Sequence, residues 1–472
     1  MTELAVEIII QVKFGEVSKE ITEFIPINAL MAGINKLEKG CQQAIASTVL
    51  EVAEQSIHSQ IPKSWKNLGT AKRSVLTESG LICFKRHIYQ DDKKQRRKPL
   101  DELLNVQAYE RNSKKVEAMI ASLATEISYR QTANLSGYIL NDPISASTVG
   151  RICERVGEKI EAMESHEIFE EPLMGDCSAD VLYCETDGVY IHLQGEKQKK
   201  TEVKVGMFYT GKSWIGQHRY RCTDKISTCQ LGLSSSAWQN HLRELAYRNY
   251  DFDRIRLAVV GGDGAEWVRN SFEGLGKPTI HLLDRFHVVR SLKRGFGPVL
   301  DINELKTDLF SKGFGAIEKR LKDAIIPDAC PFRDRQIESY KYLKTHQNIL
   351  TDLDKRGLDG FEFSNLGSME GNVDKLVRQR MKGRGMSWSI RGARSLLAVI
   401  RHKELIKSQA FAQIGQVEVR TLPRAKAPKK TAPEWVVHAY SIPVFRRSAE
   451  SNTWVQLLKS RLNDSLSINT FF

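Results

Sequence analysis

The sequence predicts a multidomain α/β protein. A mixed β-sheet core flanked by helices is interrupted by an all-helical insertion and preceded by a helical, helix-turn-helix-like region. Three observations predict it. The hydrophobic period changes from helical to strand-like near residue 181. Three successive strand patterns there give way to alternating helix and strand patterns, the signature of a sheet covered by helices on both faces. The length, 472 residues, suits about three domains at roughly 100–200 residues each.

In chain order, Ile34, Leu37, Cys41, Ile45, Val49, Val52 and Ile57 recur three to five apart and predict an amphipathic helix over 34–57. Residues 74–89 alternate around Glu78-Ser79-Gly80 and predict a small hairpin, followed by a basic loop over 91–99. These make an N-terminal region, 1–110. In the next segment, 111–165, Val116, Met119, Ile120, Leu123 and Ile127 form a helical stripe and a second short helix follows from Tyr129. Asn141-Asp142-Pro143 breaks the chain, and a third helix carries Val149, Ile152, Val156 and Ile160, with Ser145 or Ser147 as its cap. A turn before a helix whose first turn is small and polar is the helix-turn-helix layout, and it nominates Ser145, Ser147, Thr148 and Arg151 for DNA contact. An ordinary helical bundle would carry the same stripe.

The core is expected in two parts, 178–297 and 361–407, around a helical insertion, 298–360. Its strands are predicted over 181–194, 202–210, 213–222, 254–261 and 278–283. Its helices are predicted over 237–247, 264–272, 286–293, 369–380 and 388–406. Beyond lie a basic linker and tail, 408–472, with Pro423, Pro428 and Pro433 set around RAKAPKK.

The formal charge is +13, and residues 371–430 alone hold 15 Lys+Arg against Asp374, Glu404 and Glu418. A block of one sign favours a polyanion such as nucleic acid. It nominates Arg378, Arg380, Lys382, Arg384, Arg391 and Arg394 as DNA contacts. The eight cysteines show no Cys-x-x-Cys spacing, which excludes a structural zinc module and a secreted disulfide framework. Residues 1–11 carry Glu3 and Glu7 without a basic-then-apolar layout, and no run of about 18 apolar residues occurs. The expectation is a cytoplasmic protein with no membrane contact.

Three carboxylates stand out. Asp187 lies inside a strand pattern, Asp263 follows the run LAVVGG, and Glu370 opens a helix in GSMEGN. If the fourth strand pairs with the first, Asp187 and Asp263 face each other. Like charges that close need a bridging cation, and oxygen-only ligands select a hard one, Mg²⁺ or Mn²⁺. A pair of such ions serves phosphoryl transfer. Asp284 and His287, spaced i and i+3 after the strand pattern TIHLL, can face the same cleft. Taken singly, each acid could instead be a turn or helix-cap residue.

In this order, Asp187, Asp263, the Asp-x-x-His of Asp284 and His287, and then Glu370 beyond a helical insertion, the residues resemble the DDE transposases with an RNase H-like core. Within these they resemble the Mutator-like group with a Cys/Asp-x-x-His doublet, and most nearly the bacterial insertion-sequence transposases of the ISLre type. The strings LICFKRHIYQD, KPLDELL, ISASTV, ETDGVYIHLQ, VVGGDGAEWV, LLDRFHVVRSL and KGRGMSWSIRGA carry the resemblance, over about residues 65–405. It implies that Asp187, Asp263 and Glu370 are catalytic ligands of two Mg²⁺ (or Mn²⁺) ions, with Asp284 and His287 as the accompanying doublet. It also implies that residues 382–388, Trp388 among them, approach DNA. The implied partners are double-stranded DNA, as the element's terminal inverted repeats and as target, and further copies of the chain. The implied location is the bacterial cytoplasm, at the nucleoid. Two other readings fit the same residues: an RNase H-like nuclease that never joins strands, and a non-catalytic DNA-binding regulator derived from a transposase.

Overall fold

The computed structural model describes residues 5–407, apart from 15–16, 105, 108–109, 168–174, 196–198, 218, 329, 351–359, 365 and 384. The described residues divide into two compact units, the first holding 5–160 with 402–407 and the second 161–401. The basic linker and tail, 408–472, and Arg384 lie outside the described residues.

In the first unit, β1 (Ala5–Phe14) and β2 (Val17–Pro26) pair antiparallel and lead into the long α1 (Ile27–Gln60). The hairpin of β3 (Lys66–Thr77) and β4 (Gly80–Gln90) is joined by the short β5 (Arg96–Arg97), before α2 (Pro99–Leu103). Val75, Ile82, Phe84 and Leu100 bury against Ala46, Leu50, Ala53 and Ile57 of α1; of the stripe read from the sequence, only Ile57 belongs to this packed face. Three helices follow: α3 (Lys114–Glu126), α4 (Tyr129–Leu140) and α5 (Ala146–Glu167). Ser113 caps α3, Ser128 caps α4 in a reciprocal box with Gln131, and Asn141 ends α4 in the left-handed conformation. The short α14 (Lys403–Lys407) packs on α3.

The second unit is built on one six-stranded mixed sheet. β6 (Val181–Leu193), β7 (Lys200–Tyr209) and β10 (Ile226–Leu231) are antiparallel neighbours. β11 (Leu257–Gly262) and β12 (Thr279–Leu283) continue beyond β6 in parallel, giving the order β10-β7-β6-β11-β12. The third core strand is therefore not 213–222 as expected. That stretch folds into a separate hairpin, β8 (Gly211–Gly216) with β9 (Arg219–Thr223), and the core strand is the short ISTCQL that follows. Alternation marked a strand there correctly but could not say which sheet it joins.

One face of the sheet is covered by α6 (Ser235–Asn249), whose Trp238 and Leu242 pack with Leu182, Phe208 and Val260. After β11 comes α7 (Glu266–Asn270). After β12 comes α8 (Arg285–Phe296), then α9 (Ile302–Lys312), α10 (Gly315–Asp323) and α11 (Pro331–Thr345). These last helices close a core of their own around Val288, Phe296, Leu309, Ile317 and Leu343. The opposite face of the sheet carries α12 (Met369–Val373), which continues in wider π winding over Asp374–Lys382 where one helix was expected. A two-residue strand, β13 (Ser387–Trp388), pairs with the far end of β6, and α13 (Ile390–Arg401) packs on β10. No helix among the described residues is long and apolar enough to cross a membrane.

Candidate active site

The strand registers set the site. β11 pairs with β6 as far as Gly261 opposite Glu185, and with β12 as far as Gly262 opposite Leu283. Carried on by one or two residues, the same registers bring Asp187, Asp263 and Asp284 level, on three adjacent parallel strands. β11 and β12 end there, whereas β6 runs on and meets β13 only at His192. The acids thus lie in a notch at the carboxyl ends of parallel strands, where open α/β sheets place their ligands.

Each aspartate is held alike. Oδ1 of Asp187 accepts the N–H of Gly188 at 2.8 Å. Asp263 accepts that of Ala265 at 2.9 Å, and Asp284 that of Phe286 at 2.9 Å, capping α8. Among the described residues their second oxygens make no hydrogen bond. Gly264, at φ +90°, makes the turn after Asp263, and a Cβ there would meet Nε2 of His346 at 2.6 Å. The insertion supports this loop from below: Tyr342 donates its hydroxyl to the Asp263 carbonyl at 2.8 Å.

Glu370 comes from the other side of the notch, near the start of α12. Its Oε1 accepts a bond from Arg378, and its Oε2 is buried with no partner. Burial pushes the ionisation of Asp187 above the ordinary carboxylate range. The charges of Asp263 and Glu370 add to this, while the Gly188 N–H and His287 oppose it. Asp284 is raised for the same reasons, by burial and by Glu370, against the Phe286 N–H, His287 and Lys212. All five nominated groups, Asp187, Asp263, Asp284, His287 and Glu370, therefore share one electrostatic neighbourhood.

Among the described residues, no three His, Cys, Asp or Glu side chains converge closely enough to enclose an ion. The donor set nonetheless suits a hard cation. It offers carboxylate oxygens left over from backbone bonds and one buried, orphaned Glu370 oxygen, with Arg378 occupying the countercharge role beside it.

One contributor was missed by sequence reasoning. Glu185, 1% exposed, takes the Tyr209 hydroxyl at 2.7 Å and the Ser368 N–H at 3.4 Å on Oε1, and the Met369 N–H at 3.2 Å on Oε2. It fastens the start of α12 to β6 and so places Glu370. Its signal was present in the string ETD: two residues before Asp187 on a strand puts it on the same face.

The nominated DNA contacts divide. Ser145, Ser147 and Arg151 are exposed at the start of α5 and Thr148 is half-buried. Ser145 accepts the Thr148 N–H at 3.1 Å as the cap. In the basic block, Lys382, Arg391 and Arg394 are exposed. Arg378 is committed to Glu370. Arg380 and Trp388 need correction: both are buried, with the guanidinium 5.1 Å from the indole centroid and the indole N–H donated to the Met381 carbonyl at 2.9 Å. Charge counting places an arginine in a basic stretch, but an arginine stacked on a buried indole has become part of the core.

A "UPF0236 protein in vanSb 3'region" of Streptococcus gallolyticus is 24% identical over 76% of this chain and 78% of its own. A UPF0236 protein of Caldanaerobacter subterraneus subsp. tengcongensis, whose name joins eleven designations from that strain, is 22% identical over 79% of this chain and 77% of its own. The chain is also similar to the Drosophila P element transposase in its strand transfer complex, at 12% identity, 65% of this chain, 82% of that one and a TM-score of 0.26. The profile of the family described as uncharacterised protein family UPF0236 matches residues 20–409, and the chain belongs to that family.

Proposed function

We propose that the chain is the transposase of a bacterial insertion sequence. It would be a DDE-type enzyme with an RNase H-like core that binds element ends and catalyses metal-dependent DNA cleavage and strand transfer. One observation carries the reading. Asp187, Asp263 and Asp284 stand level across adjacent parallel strands, and α12 brings them Glu370 with a buried, unpartnered oxygen. The order β10-β7-β6-β11-β12, three antiparallel strands and two parallel ones, supports such a core. A relative whose single name joins eleven designations in one strain is what a sequence copied many times within a genome would leave.

Asp187, Asp263 and Glu370 would hold two Mg²⁺ or Mn²⁺ ions, which supply an activated attacking oxygen and stabilise the leaving one. The chain's own part is positional. Backbone N–H groups fix one oxygen of each aspartate and leave the other to its work, and Glu185 locks the approach of α12. Element ends and target would be double-stranded DNA, bound through Ser145, Ser147, Thr148 and Arg151 of α5 and through Lys382, Arg384, Arg391 and Arg394. A homo-oligomer would bring two ends together.

The test is end cleavage in Mg²⁺ beside a gel shift in Ca²⁺, on the DNA flanking the gene. Asp187→Asn, Asp263→Asn and Glu370→Gln should each lose about three or more orders of magnitude in rate and keep DNA affinity. Variants that still cut near the wild-type rate would overturn the reading. Pre-cleaved ends incubated with plasmid should give joined products, which a nuclease would not.

A further inference from the structure

Among the described residues, the β8–β9 hairpin pairs with no strand of the six-stranded sheet and forms a two-stranded sheet of its own. A lone two-stranded ribbon is marginal in water, and large exposed rings on one call for a partner. Trp214 is 75% exposed and Tyr220 47%. The pairing sets Lys212 opposite Cys222 and Trp214 opposite Tyr220, so alternation puts all four on one face. On that face the two rings meet edge to face at 6.1 Å, and the Lys212 ammonium lies 4.4 Å from the Tyr220 centroid.

The same face is rooted in the candidate active site. Lys212 donates to the Leu366 carbonyl at 3.2 Å, and the Cys222 thiol to the Ser368 hydroxyl at 3.3 Å, within the turn that delivers Glu370. Exposed Arg219 and Arg221 lie on the opposite face, and from 211 through 223 the chain has no acidic residue.

We propose that this hairpin is a nucleotide-stacking platform, which takes an unpaired base of the DNA strand lying in the carboxylate notch. Resting on the proposed function, it names a subsite of the same centre. Rings with adjacent cations and no acid fit a π-faced polyanion. An indole stacks on any base, and a guanidinium or ammonium meets the flanking phosphate. Within a duplex the faces of bases are covered by their neighbours, so only a frayed, terminal or extruded nucleotide offers one. The hairpin would thereby favour ends whose pairing is opened next to the reacting phosphate.

The experiment measures binding in Ca²⁺, where cleavage is not required, of a blunt duplex and of the same duplex with two or three unpaired nucleotides at the end. Wild type should bind the frayed duplex about tenfold more tightly. Trp214→Ala should lose that preference and bind the blunt duplex unchanged. Trp214→Phe should restore most of it, and Tyr220→Ala should weaken it. Arg219→Ala with Arg221→Ala should weaken both duplexes and flatten the salt dependence. If Trp214→Ala binds both duplexes as wild type does, or loses both alike, the platform is refuted. A shift in sedimentation with DNA binding intact would make the hairpin a protein interface and refute it equally. The two proposals fail separately. An Asp187→Asn protein that still cuts would remove the active-site reading while the stacking preference stands. A cleavage-dead Asp187→Asn beside an indifferent Trp214→Ala would remove the platform alone.

Discussion

Asp101 in the first unit and Asp187 in the second are both buried aspartates, 5% and 8% exposed, yet their surroundings differ in kind. Asp101 receives two guanidinium groups on one oxygen, from Arg73 at 2.9 Å and Arg86 at 2.8 Å. Asp187 receives one backbone N–H, and the attraction of His287 is set against the charges of Asp263 and Glu370. A buried charge that serves the fold is matched within the fold, because desolvation costs several kcal/mol per ion. One left unmatched among others of its sign is arranged for something the chain alone does not supply, which makes the mismatch itself the pointer to function.

The largest expected effect separates the two directly. Asp101→Asn strands two buried guanidinium groups and should cost about 3–5 kcal/mol in the first unit. Asp187→Asn removes a repelled charge and should leave the urea midpoint of the second unit unchanged or higher. Equal losses at both positions would break the comparison.

Glu185 stands between these classes, a buried acid whose partners are two backbone N–H groups and a hydroxyl. Glu185→Gln keeps the shape but puts an N–H donor in place of one acceptor oxygen, so one tie to the start of α12 is lost and Glu370 is displaced. Misplacement on the ångström scale is worth about 10²-fold in rate. The expected signature is a fall of that size in kcat for cleavage with KM for DNA unchanged. A rise in KM alone would mean that Glu185 shapes binding, not the reacting centre.

How much of this was legible depended on how local its cause is. β11 and β12 are short apolar runs that each end in an aspartate, so the positions of Asp263 and Asp284 at strand ends could be read from neighbours in sequence. So could a serine cap on α5, which the sequence left between Ser145 and Ser147 and the structure gives to Ser145. Sheet membership could not. Residues 213–222 alternate as any strand does, and only the sheet edge decides that β10 pairs with β7 while β8 and β9 pair with each other. The buried stack of Arg380 on Trp388 was hidden for a similar reason, since it depends on the π winding and β13 coming together. The string ETD put Glu185 on the face of Asp187, but its ties to Ser368 and Met369 were hidden because those partners lie 183 and 184 residues away.

The comparison sharpens with pH. Glu110 of the first unit is also buried, and burial pushes it up, but the Lys114 ammonium and the Gln107 N–H outweigh this and hold it below the ordinary range. A lowered acid contributes stability that is present above its unfolded value and lost as pH falls through its folded value. Asp187 and Asp284 are raised, so between their unfolded and folded values the native state binds more protons, and stability falls as pH rises through that window. Denaturation curves from pH 4 upward should therefore move in opposite directions. Glu110→Gln should be most harmful near neutrality and harmless in acid, whereas the benefit of Asp187→Asn should appear only as pH rises. A benefit that is greatest in acid would reverse the sign argued for the notch.

The smallest effect concerns charges that are not buried at all. Lys382, Arg391 and Arg394 are exposed. Removing an exposed charge changes stability by less than about 0.5 kcal/mol, so Lys382→Ala should melt with the wild type. If the residue meets a phosphate, it releases about one counterion on binding. The slope of log affinity against log salt should then shallow by about one unit, for element ends and random DNA alike. Loss confined to element ends would mean that Lys382 reads bases. An unchanged slope would assign it to solvent, and the proposed DNA contacts would then rest on α5 and the hairpin. A charge matched by the fold, a charge left unmatched in the notch and a charge held out in water thus answer to three different measurements: a denaturation midpoint, a cleavage rate and a salt slope.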